Sequence, residues 1–168
     1  TRKISSPYYA INPSGRVPCL VLEDGTRLEE SQLICAYLDQ LDGKPKFEPP
    51  VGDAGLTVRR LEAMGRSLTD GLSVWIREGF RHERERSQGV IAHERSRAER
   101  LIDEWESEID DPTMHGDFNN MAQITLIAAL HLDRWNPEFL WRQEHPRLSS
   151  WLRHYEDRRS IQDTMPPG

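Results

Sequence analysis

The sequence predicts an α/β portion followed by an all-α portion, and three observations carry that prediction. Residues 17–22, VPCLVL, form a short apolar run; Asp24-Gly25 follows, and then TRLEE. An Asp-Gly pair between two short runs is among the strongest hairpin signals. Residues 43–53, GKPKFEPPVGD, hold three prolines and two glycines, the composition of a linker. From Leu56 onward strand signals vanish, and apolar residues recur at threes and fours.

The elements follow in order. A proline at the first residue of a strand forfeits no ladder bond, so Pro18 suits the start of the first strand. After the second strand, Ser31 is placed to cap a helix whose apolar face is Leu33, Ile34, Tyr37, Leu38 and Leu41, ended by Asp42-Gly43. Further helices are expected over 56–80, 88–109, 121–135 and 146–158. Asp111-Pro112 breaks the second of these, ITLIAAL marks the third as buried all round, and Pro146 sits near the start of the last, where proline is tolerated. The tail ends in Pro166-Pro167. The expected organisation is a domain over 1–43, a linker over 44–55 and a helical domain over 56–168. A lone hairpin with one helix does not stand as a domain. It either leans on the helices or belongs to a larger sheet.

Composition narrows the function. The 168 residues carry a net charge of −6, with 30% charged and 36% apolar residues. No basic face for nucleic acid is in view; the arginines alternate with glutamates, as on solvated helix faces. No apolar run reaches the ~18 residues of a membrane span, and no signal peptide opens the chain, which starts at Thr1 without methionine. Cys19 and Cys35 both fall in apolar runs, away from helix N-termini, and read as core fillers in a reducing cytoplasm.

Two dipeptides carry chemistry. A cis bond at Val17-Pro18 would turn the N–H and C=O of Val17 outward, toward another extended backbone. Ser31 at a helix start leaves backbone N–H groups that attract a carboxylate, and Glu30 beside it offers an acceptor for an ammonium. Together they suit an α-amino acid headgroup. The plainer alternative is that Ser31 only caps and Glu30 only favours the helix dipole; the residues alone leave both open.

The whole stretch NPSGRVPCLVLEDGTRLEESQLICAYLDQL resembles the glutathione-binding half of the thioredoxin-like domain in cytosolic glutathione transferases of bacterial type, including the spacing between elements. NNMAQITLIAALHLDRW resembles the buried core helix of that family's helical domain, and HPRLSSWLRHYEDRRSIQDTMPP its last helix and tail. The resemblance implies a fold, an incomplete thioredoxin-like domain followed by an all-helical domain. It also implies roles. Val17 would pair its backbone with the cysteinyl part of glutathione, Pro18 would be a cis-proline, Glu30 and Ser31 would hold the γ-glutamyl ammonium and carboxylate, and Arg16 would approach the glycyl carboxylate. Trp75 and Arg81 would fall where the helical domain faces an electrophile, although Trp75 is equally well explained as core, and Asp70 would lie within reach of glutathione.

The pattern is departed from in two places. Family members open with a β-α-β unit of about 30 residues whose first turn carries a catalytic Tyr, Ser or Cys. Eleven residues precede Asn12 here. Ser5 and Ser6 stand too close to it for that role, so the catalytic residue is expected upstream and is not assigned. At the core helix, Asn120-Met121-Ala122-Gln123 replaces the family's Ser/Thr-x-x-Asp capping box, with polar Asn119 where an apolar staple is usual and Phe118 as its substitute. His82, Glu83, His93 and Glu94 match no zinc spacing, so no metal is expected.

The resemblance therefore implies a cytoplasmic, homodimeric glutathione transferase with a detoxification role. It would use glutathione as co-substrate and conjugate its thiolate to a hydrophobic electrophile, or use it for thiol–disulfide chemistry. Nucleic acid and membrane are not expected partners. The alternative is a non-catalytic scaffold of the same fold; such proteins often lose the Glu-Ser pair, which this chain keeps.

Overall fold

The computed structural model describes residues 3–166; Thr1 and Pro167 lie outside them. It consists of two compact units, one extending to Glu48 and the other beginning at Pro49.

The N-terminal unit opens with a 3-10 turn over Pro7–Ala10, capped by the Ser6 hydroxyl, which accepts from the Tyr8 N–H at 3.3 Å. Strands β1 (Cys19–Val21) and β2 (Arg27–Glu29) pair antiparallel, with Cys19 opposite Glu29 and Val21 opposite Arg27. Both are shorter than the runs that predicted them. Pro18 has no N–H to start the ladder, and the turn consumes the other end. The Leu22 N–H donates to the Thr26 carbonyl at 2.8 Å, Gly25 takes φ 84, and the Thr26 N–H donates to Asp24 Oδ1 at 2.8 Å. The Asp-Gly signal thus holds through a side-chain acceptor and a left-handed residue.

Helix α1 (Ser31–Asp39) packs on both strands. It corrects the expected boundaries. The N-cap is Glu30, with φ 71 and no capping side-chain bond, and Ser31 is the first helical residue. The helix stops at Asp39 rather than Asp42, its end tightening into turns in which the Gln40 N–H donates to the Tyr37 carbonyl and the Gly43 N–H to the Gln40 carbonyl. Both Asp39 carboxylate oxygens accept from the N–H groups of Lys46 and Phe47, at 2.9 Å each. Of the predicted apolar face only Ile34 is buried; Leu33, Tyr37, Leu38 and Leu41 are exposed. Two three-residue strands cannot cover a five-residue stripe.

The second unit is built on α2 (Asp53–Gly79), α3 (Gln88–Glu108), α4 (Met121–Leu130) and α6 (Pro146–Glu156), with the short helices α5 (Trp141–Glu144) and α7 (Arg159–Gln162). The last two were not anticipated; single turns have too few residues for a period to show. Helix α4 is the centre: Ala122, Leu126, Ala129 and Leu130 are fully buried, as ITLIAAL predicted. It lies close against α2 because Gly65 gives room. A Cβ there would sit 2.7 Å from Thr125 Oγ1 and 3.2 Å from the Leu126 nitrogen. The rest of the expected third helix, His131–Arg134, winds as a 3-10 turn. No described helix is long and apolar enough to cross a membrane.

The start of α4 carries a buried polar network. Asn120 Oδ1 accepts from the Gln123 N–H at 3.0 Å, as the capping reading expected. Gln123 Oε1 accepts from the Asn119 N–H at 3.0 Å, one residue earlier than a capping box requires. Its Nε2 donates to the Tyr155 hydroxyl at 3.0 Å, which donates onward to the Met114 carbonyl at 3.1 Å. Every polar atom of the Gln123 side chain is thereby engaged, which a fully buried amide needs. Phe118 tilts onto the Tyr155 ring with centroids 5.8 Å apart, closing the site where the apolar staple was sought.

One buried group gives the unit a pH response. His131 is 4% exposed, and burial holds its pKa below the ordinary 6.5, against the opposing pull of Glu156, 3.7 Å away, and of Asp133, and with Arg142 adding to the lowering. A histidine whose folded pKa lies under its unfolded value leaves stability intact above about 6.5 and drains it as the pH falls from there, since the unfolded chain binds the proton more readily. We expect the melting temperature to drop by a few degrees between pH 7.5 and pH 5.5, and the drop to be visibly smaller in His131→Asn, measured by circular dichroism in matched buffers.

Candidate functional site at the open end of the hairpin

The strand register positions the site. The ladder ends with Cys19 opposite Glu29, so Val17-Pro18 enters β1 and Glu30-Ser31 leaves β2 at the same end, where Arg16 reaches Glu30. The hairpin thus brings both chemistry-bearing dipeptides to its open end, although they stand twelve or more residues apart in the chain.

The Val17-Pro18 bond is cis. Val17 is 69% exposed, and neither its N–H nor its C=O makes a hydrogen bond among the described residues, so an extended backbone strip faces outward. Across from it Glu30 holds φ 71, the one non-glycine positive φ among the described residues. A Glu in that region costs on the order of 1–3 kcal/mol. That turn reverses the chain between β2 and α1 and leaves the first-turn N–H groups of α1 at the same end. Arg16 Nη1 lies 3.5 Å from Glu30 Oε1, with both side chains mostly in solvent. A pair so exposed is worth at most about 1 kcal/mol and exchanges readily for another partner.

What holds the Arg16-Val17-Pro18 strip is a set of residues to which the sequence reading gave no role. The Arg16 carbonyl accepts twice, from the Tyr8 hydroxyl at 2.7 Å and from Asn12 Nδ2 at 2.9 Å. Asn12, only 5% exposed, also donates to Glu29 Oε2 at 3.0 Å and accepts the Ser14 N–H on Oδ1 at 3.1 Å. Ser14 Oγ donates to the same Glu29 oxygen at 2.6 Å and accepts the Arg16 N–H at 3.2 Å. The Ser14 hydroxyl, and after it the Asn12 amide, hold the Glu29 carboxyl below its ordinary pKa of 4.5. Gly15 closes the turn at φ 68, packed so tightly on Tyr9 that a Cβ would lie 2.5 Å from its ring. Asn12-Pro13-Ser14-Gly15 reads as an Asx turn; that signal was available, but its link to Glu29 crosses the sheet and has no local trace.

Other sequence candidates lie elsewhere. Ser6 caps the first 3-10 turn. Trp75 is 4% exposed and stacks edge-on to Phe139, with centroids 6.5 Å apart. Arg81 pairs with Glu78 at 2.9 Å, and Asp70 is exposed. Cys19 and Cys35 are free and half-buried. Glu94, expected on a solvated face, is buried and pairs with Arg97 at 3.3 Å. Among the described residues no group of three or more His, Cys, Asp or Glu side chains is arranged to hold a metal.

Comparison with known proteins agrees with this geometry. The family model described as glutathione S-transferase, N-terminal domain, matches residues 2–41. The uncharacterized GST-like protein YibF of Escherichia coli is 30% identical over 159 residues, covering 93% of this chain and 78% of YibF. The chain belongs to the glutathione transferase family. Glutathione S-transferase 2 of Saccharomyces cerevisiae is 28% identical, over 94% of this chain and 70% of its own length. A glutathione transferase family member from Pseudomonas fluorescens Pf-5, solved with bound glutathione, superposes with a TM-score of 0.85 at 30% identity, covering 95% of this chain and 78% of that one. In this family member the hairpin and α1 are therefore elements of a thioredoxin-like domain, and α2 onward form the helical domain.

Asn12→Ala removes the donor that ties Arg16 to β2. With about 1 kcal/mol per hydrogen bond lost, amide exchange over residues 14–17 should rise roughly five- to tenfold, while amides of α4 keep their protection, as read by hydrogen exchange with mass spectrometry.

Proposed function

We propose that this protein binds glutathione at the open end of the hairpin and presents its thiolate to a hydrophobic electrophile, or uses it in thiol–disulfide exchange, as a cytoplasmic homodimer. The observation that carries the reading is the convergence of an outward-facing Val17 backbone with Glu30 and the start of α1. A γ-glutamyl headgroup has one ammonium and one carboxylate. Glu30 accepts from the first, displacing the guanidinium of Arg16, and the N–H groups and hydroxyl at Ser31 receive the second. The cysteinyl backbone then lies along Val17, and the freed Arg16 is placed for the glycyl carboxylate. The solved Pseudomonas relative that holds glutathione supports this reading. The thiolate is the reactive form of the sulfur, and the group that stabilises it is assigned to none of the described residues.

Calorimetry with glutathione tests the proposal. Binding should saturate at or below millimolar concentration, and Glu30→Ala or Ser31→Ala should weaken it by about ten- to a hundredfold, the worth of a charge-assisted hydrogen bond. Glu30→Gly separates the function of that residue from its fold. It removes the positive-φ cost, so the melting temperature should not fall, yet affinity should drop as in Glu30→Ala. No heat at several millimolar glutathione overturns the proposal in favour of a non-catalytic scaffold.

A further inference from the structure

The helical unit contains a cavity of about 460 Å³ between α3 and residues 138–145, with Trp75 of α2 in its wall. That volume is within the range of small-molecule sites. Its floor is apolar and aromatic: Trp75, Phe139 and Trp141 are 4%, 7% and 3% exposed, with Ile102 beside them. Its rim is charged, and predominantly negative. Glu99, Asp103, Glu138 and Glu144 line it against Arg95 and His145.

Two of these carboxylates are already engaged. Glu138 bonds to Arg95, and Asp103 Oδ1 lies 3.0 Å from His145 Nε2, whose ring is fixed from the other side by the Trp141 carbonyl at 2.8 Å from Nδ1. Glu99 and Glu144 have no hydrogen bond or ion pair among the described residues. The Arg95 guanidinium itself lies 5.2 Å from the Trp75 ring centroid. The wall thus already pairs a cation with an aromatic face and a carboxylate, and Trp141 carries the Arg142 guanidinium 4.7 Å from its ring centroid; two further carboxylates are left at the rim, beside the Phe139 ring. An aromatic floor favours a cation by its ring quadrupole, and unpaired carboxylates at the mouth exclude anions.

We propose that this cavity binds an organic cation, an ammonium group carried on an apolar aromatic or alkyl body, with the body on the Trp75–Phe139–Trp141 floor and the charge toward Glu99 and Glu144. Every residue of the cavity lies between Trp75 and His145, so the site is independent of the hairpin and of the glutathione reading.

Three probes of similar size decide it: benzyltrimethylammonium, benzyl alcohol and benzoate, titrated into the full chain at low salt with tryptophan fluorescence and calorimetry as readouts. Benzyltrimethylammonium should bind saturably, benzyl alcohol more weakly, and benzoate not at all. The double variant Glu99→Gln, Glu144→Gln alters only exposed side chains. It should weaken the cation by about five- to tenfold and leave benzyl alcohol within a factor of about two. The cation's affinity should also fall as salt is raised. No saturable binding of the cation, benzoate binding as well as the cation, or a double variant with unchanged affinity for the cation each overturns the proposal.

Discussion

The arrangement of the N-terminal unit depends on the antiparallel register that sets Cys19 opposite Glu29. Because side chains alternate along a strand, a slip of one residue would send every side chain to the other face and would carry Val17-Pro18 away from Glu30-Ser31. The register is pinned at both ends by side chains rather than by strand length. At the closed end Asp24 and Gly25 set the turn. At the open end Asn12 binds the Arg16 carbonyl on one side and the Glu29 carboxylate on the other, so one buried amide ties the chain entering β1 to the last residue of β2. With only three residues per strand, these end ties replace the ladder bonds that a longer hairpin would have.

The helical unit solves a different problem. Its central helix α4 is apolar on all sides and needs neighbours all round. Gly65 lets α2 approach it, and the Gln123–Tyr155–Met114 chain satisfies the polar groups where the backbone enters the core. The same economy shows at His131, which occupies a buried position without a hydrogen bond to its Nε2 and so makes stability sensitive to acid. In the cavity beside α3, an aromatic floor and a charged rim meet without filling the space between them.

Much of this was legible in the residues. The hairpin, the linker composition at 43–53 and the long helices follow from turn chemistry and from apolar periods sustained over several turns. What the sequence does not display is anything that rests on a crossing. The N-cap moved from Ser31 to Glu30 because the chain enters α1 through a left-handed residue, which no propensity assigns to Glu. The tie from Asn12 to Glu29 joins residues 17 apart, and neither looks special alone. Helices α5 and α7 are single turns, below the length at which a 3.6-residue period can be seen. Glu94 reads as a surface acid and is buried, with its carboxylate against Gly71 and paired with Arg97.

The central claim is that the hairpin's open end is a slot for a γ-glutamyl peptide. The most direct measurement is a nitrogen-15 NMR titration with glutathione, following every backbone amide. The account predicts that the largest shifts fall on Val17, Glu30, Ser31 and Gln32, with the amides of α3 and α6 nearly still. Shifts concentrated in the helical unit, or none at saturating peptide, would contradict it.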